Sequence, residues 1–157
     1  MTDHAALARK LIDDNLYMAL GTADPSGVPW VSPVYFTPNE YTAFYWVSSP
    51  ETRHSKNIAG RAEVSIAIFD SRVGVGTAEA VYMSATARQV PDEKLESAVA
   101  LYNGRLPAAK HFEPTELVGP GLFRLYEAMA VEHSVLIRGG DREFGKGADS
   151  RLVVSLA

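Results

Sequence analysis

Behind Asp3, a residue suited to capping a helix, the apolar positions Leu7, Leu11 and Ile12 recur at helical spacing. They predict a helix from Asp3 to Asn15. The period then shortens. Tyr17–Ala23 reads as a strand ending at Asp24-Pro25-Ser26-Gly27, a turn by composition. Val28–Phe36 and Tyr41–Ser48 are rich in aromatic and β-branched residues and predict two further strands. The short connection Thr37-Pro38-Asn39-Glu40 predicts that these two form an antiparallel hairpin.

Ser49-Pro50-Glu51-Thr52 opens a short helix to Gly60, with serine as cap, proline in the first position and glutamate in the first turn. Gly60 is placed to end it. Val64, Ile66 and Ile68 share one face of a strand Glu63–Phe69, and Ala78–Val90 predicts a longer one. Leu95, Val99 and Tyr102 line one side of a helix starting at Pro91. Residues 104–121 read as loop with at most one helical turn at Pro114–Leu117. Leu122–Tyr126, Val131–Ile137 and Arg151–Leu156 read as strands around a polar, glycine-rich segment 138–150. Six to eight contiguous antiparallel strands with a few short helices predict a mainly β barrel, not a parallel doubly wound sheet.

The chain has 157 residues, of which 46% are hydrophobic and 22% charged, the make-up of one globular domain over 1–157. It has no cysteine, which excludes disulfides, thiolate nucleophiles and cysteine-built zinc sites. Neither a signal peptide nor an apolar membrane-spanning run is visible, and the expectation is a cytoplasmic protein without a membrane partner. A net charge of −4 argues against nucleic acid as a partner but leaves room for one local basic pocket.

That pocket has a candidate. Arg53, Lys56 and Asn57 recur at i, i+3 and i+4, and Thr52 and His54 sit at the helix start. Free amides, a positive dipole end and cations together suit a phosphate. Just upstream, Pro29 and Pro33 cannot donate to a ladder, so the strand carrying Val31, Ser32, Pro33 and Val34 faces an edge, a bulge or a ligand.

The run Phe44-Tyr45-Trp46-Val47-Ser48-Ser49, then Thr52-Arg53-His54-Ser55-Lys56-Asn57-Ile58 and Val64–Phe69, resembles the pyridoxamine 5'-phosphate oxidase-like FMN-binding split-barrel superfamily. So does the opening Met18-Ala19-Leu20-Gly21-Thr22 with Asp24, Gly27 and Val31–Val34; the likeness covers roughly residues 5 to 90. It implies an antiparallel split β-barrel with peripheral helices, a homodimer, and a cofactor in the groove between subunits. The resemblance lays the flavin ring along Val31, Ser32, Pro33 and Val34. It brings Trp46, Val47 and Ser48 near the ring and ribityl chain, and its phosphate to Thr52, Arg53, His54 and Lys56. The implied activity is FMN-dependent hydride transfer to or from a small conjugated substrate. The alternatives are the deazaflavin coenzyme F-420 in place of FMN, or a non-catalytic flavin or haem carrier.

Three departures point away from vitamin B6 oxidation itself. Val28–Phe36 holds no arginine or lysine, Ala80 replaces a cofactor-facing glutamine, and Arg151–Ala157 lacks an arginine-rich ending. No catalytic acid or base and no metal site is legible. The four histidines have no ligand spacing and read as scattered surface residues. Gly140–Gly147 misses the hydroxyl of a phosphate-binding loop.

Overall fold

The computed structural model describes residues 1–157. Helix α1 (His4–Asp14) is capped by Asp3, whose carboxylate accepts from Ala6 N. Strands β1 (Tyr17–Ala23), β2 (Pro29–Tyr35), β3 (Thr37–Asn39) and β4 (Ala43–Ser48) follow. After them come helix α2 (Arg53–Gly60), strands β5 (Glu63–Phe69) and β6 (Ala80–Gln89), and helix α3 (Asp92–Asn103). Two 3-10 turns, Ala108–Lys110 and Pro114–Leu117, lead to β7 (Arg124–Ile137) and β8 (Ser150–Val154). The strands form one antiparallel sheet in the order β2-β1-β5-β6-β7-β4-β3, with β8 paired to β7. It curls around a core that fully buries Trp46, Phe36 and Phe44, each worth about 1.5–3 kcal/mol in apolar burial. A smaller apolar cluster, with Leu95, Val99 and Tyr102, lies between α3 and the outer face of β4 and β7.

The structure corrects four sequence expectations. The hairpin does not form: β2 pairs with β1, while β4 pairs with β7 and with the short β3. Phe36 N bonds Leu16 O and Asp24 N bonds Val28 O, so the even-numbered residues of this stretch bond toward β1. Pro29 and Pro33 therefore face the open side, where a β4 partner would meet two missing donors. The chain instead turns at Glu40 and Tyr41, both left-handed at φ 51° and 57°, to return as β4.

Second, the two strands expected around 122–137 are one strand. Its pairing with β6 slips between Ser84 and Ala85, leaving Val131 unpaired as a bulge. Tyr126 and Ala128 face the core before it, and His133, Val135 and Ile137 after it, so the alternation changes phase. Third, Thr52 caps α2 in place of Ser49, and Gly60 closes the helix without a left-handed φ. Fourth, His54 and His133 are buried, not scattered on the surface. No helix is long and apolar enough to cross a membrane.

Candidate functional site: the open edge of β2 beneath helix α2

Strand β2 ends the sheet, so one side of its backbone has no strand partner. With the even residues bonded to β1, the Val31 amide and the carbonyls of Pro29, Val31 and Pro33 point to that open side. Val31 is the one residue between the prolines with an outward N–H, and its side chain is 66% exposed. A shallow cleft of about 330 Å³ passes over Gly21, Trp30, Val31 and Ser65. Gly21 keeps its floor open, since a Cβ there would stand 3.2 Å from Ser65 O.

Helix α2 starts directly above this edge. Thr52 Oγ1 accepts from Ser55 N at 3.3 Å and lies 3.0 Å from Ser49 O, which fixes where the helix begins. No protein acceptor takes the amides of Arg53 and His54, the first two of the helix. The Arg53 guanidinium lies over the Trp30 ring, 4.3 Å from its centroid, and makes no ion pair. A stacked, unpaired guanidinium beside two free amides favours a bound anion.

His54 ties the site together. Its Nδ1 lies 3.0 Å from Ser32 Oγ on β2, and its Nε2 lies 2.8 Å from Ser48 Oγ at the end of β4. Those strands do not pair, so the imidazole is a polar strut across the gap between them. Burial pushes its pKa below the ordinary histidine value, which favours the neutral ring with one donating and one accepting nitrogen. The positive end of α2 works in the same direction.

The expected residues divide into groups. Val31, Ser32, Pro33 and Val34 form the edge, although the Val34 side chain turns into the core. Thr52, Arg53 and His54 meet it from above, and Ser48 joins through His54. Trp46 stacks on Tyr126 inside the barrel, and neighbouring Val47 lies opposite Leu125. Lys56 points away and pairs with Glu51 at 2.9 Å. The buried Asn57 donates to Thr22 Oγ1 at 3.0 Å, which anchors α2 to β1. Sequence reasoning did not single out Trp30; its signal is an aromatic residue on a proline-interrupted strand. Of the two unassigned segments, 104–121 touches the lower end of β2 through Tyr35 Oη donating to Arg105 O. The other, 138–150, packs Phe144 on His4 of α1 and runs into β8 with no helix after it.

A search of curated proteins finds no match. Among solved structures, a haem-binding protein from Mycobacterium smegmatis is similar at TM-score 0.71 and 19% identity, over 98% of this chain and 59% of that one. An FAD-binding protein from Mesorhizobium loti matches at TM-score 0.65 and 18% identity, over 86% and 94%. A structure described as an F-420 reductase matches at TM-score 0.58 and 17% identity, over 81% and 95%. At these identities the likeness is one of fold, and the chain spans 59% of the M. smegmatis protein. The family model described as pyridoxamine 5'-phosphate oxidase matches residues 5–126, well over half of the chain, and extends the likeness past the stretch of roughly residues 5 to 90 seen in the sequence. The protein belongs to the pyridoxamine 5'-phosphate oxidase family of split β-barrels.

Proposed function

We propose that the protein is an oxidoreductase that binds FMN, or a deazaflavin of the F-420 type, along the open edge of β2. The observation that carries this reading is the unpaired Arg53 guanidinium, stacked on Trp30 between two free helix amides and an open strand edge. The donor set fits a flat heterocycle with an anionic tail. The Val31 amide and the Pro33 carbonyl match the polar rim of such a ring, and Arg53 with the α2 amides matches its phosphate. When bound, the cofactor supplies two-electron hydride chemistry. The protein's part is to bind and orient. Arg53 holds the tail, His54 fixes the gap between β2 and β4, and Trp30 backs the Arg53 guanidinium.

A haem-carrier reading finds less support at this edge. Both ring nitrogens of His54 are engaged by serines, and His133 is buried with Nε2 on Tyr41 O, so neither offers a free imidazole to an iron. The outer face of β1, β2 and β5 exposes Tyr17 and Phe69 at 60% and 50%, with the exposed Val31 further along β2. A second copy of the chain covers this patch in our reading and closes the cofactor groove from the other side.

Titration of the protein with FMN and with F-420, by fluorescence, tests the assignment. Arg53→Ala is expected to weaken cofactor binding by roughly tenfold or more, the scale of a lost charge-assisted hydrogen bond. Lys56→Ala is expected to change it little, because Lys56 is turned toward Glu51. Equal losses in the two variants, or binding of neither cofactor, would overturn the assignment.

A further inference from the structure

On the far side of the sheet from β2, three neighbouring strands present Tyr45, Glu127 and Arg88 in one row. Tyr45 is opposite Glu127 on β4 and β7, and Arg88 is opposite Glu127 on β6. The row lies on the outer face of the barrel, beside the apolar cluster under α3. The Glu127 side chain is only 6% exposed, and one of its oxygens accepts from Arg88 Nε at 2.7 Å. The other oxygen bonds no protein group. That oxygen is not sealed from solvent, and at the cleft surface water or a ligand can donate to it. A ligand hydroxyl there would take the place of that water and keep the carboxylate paired.

The free oxygen borders a cleft of about 250 Å³ lined by Tyr45, Arg88, Lys94, Leu101, Glu127 and Met129. Lys94 makes no ion pair, and Arg88 keeps its terminal nitrogens free of protein acceptors. Two cations against one carboxylate leave one net positive charge in the cleft. Burial and the Glu127 charge raise the Tyr45 pKa, so its hydroxyl remains a donor. Leu101 and Met129, both partly exposed, give one apolar wall.

We propose that this cleft is a binding site for a small α-hydroxy acid, separate from the cofactor edge. Its carboxylate would sit between Arg88, Lys94 and the Tyr45 hydroxyl. Its hydroxyl would donate to the free oxygen of Glu127, and its aliphatic tail would lie on Leu101 and Met129. A monoanion neutralises the cleft, whereas an amino acid zwitterion leaves the positive charge in place. That difference favours the hydroxy acid.

An amide NMR titration of the full chain with α-hydroxyisocaproate, isocaproate and leucine tests this without reference to flavin. Saturable shifts at Lys94, Ser97 and Leu101 are expected, with α-hydroxyisocaproate binding tightest of the three. Lys94→Gln changes an exposed residue that the fold does not need, and it should weaken that binding by roughly tenfold. Tyr45→Phe should weaken it in the same direction. The proposal is overturned if no saturable shift appears, if isocaproate or leucine binds as tightly, or if Lys94→Gln binds like the parent chain. In each of those cases the Arg88–Glu127 pair is structural only.

Discussion

His54 shows what a single residue does here. It occupies a position where a basic helix face suggested a phosphate ligand, yet its ring is spent on holding Ser32 and Ser48. Its buried ring has a pKa below 6.5, and so does that of His133. The unfolded chain therefore takes up protons first as the pH falls. The stability that these neutral rings permit is full above 6.5 and declines as the pH drops toward their folded values. Denaturant midpoints measured across that window should fall with acidification, and His54→Gln should flatten the slope. A midpoint that stays level in the parent chain, or a slope that His54→Gln leaves unchanged, would contradict the assignment. The helix-face spacing made Arg53, Lys56 and Asn57 legible as neighbours. It could not say which element would cover that face. Thr22 on β1 claims Asn57, Glu51 claims Lys56, and Arg53 alone is left facing the open edge of β2.

At the scale of elements, most strands and helices were readable because their alternation or helical period is clean, as in Val64, Ile66 and Ile68 of β5. Pairing was less readable. Two adjacent strands with a short connection suggest a hairpin, but Pro29 and Pro33 keep the outer side of β2 from forming a ladder. The bulge at Val131 likewise hid a single long strand behind a change of phase. Segment 104–121 carries no periodic signal, yet Arg105 within it closes the end of α1. Its guanidinium donates to the carbonyls of Ile12, Asp13, Asn15 and Phe36 and lies 4.8 Å from the Phe36 ring centroid. These carbonyls include the orphan acceptors of a helix C-terminus, so Arg105→Ala should cost about 2–4 kcal/mol of stability. Thermal or urea unfolding reads that loss directly. A change below about 0.5 kcal/mol, the range of an ordinary surface substitution, would show that water replaces the guanidinium without penalty.

For the whole molecule, the curl of one sheet leaves β2 as an open edge, and the exposed apolar residues Tyr17, Val31 and Phe69 share its outer face. Exposed edges with apolar faces are uncommon in a free monomer. Light scattering on the purified chain should give a dimer, and Phe69→Glu should shift it toward monomer without unfolding it. A monomeric parent chain that still binds the cofactor would contradict closure of the groove by a second copy. The most direct test of the central claim is amide hydrogen exchange with and without FMN or F-420. Slowed exchange at Val31, Arg53 and His54 together, with little change on α3, is the expected result. A cofactor that binds while leaving those three amides untouched would place its site elsewhere and contradict the reading of the β2 edge.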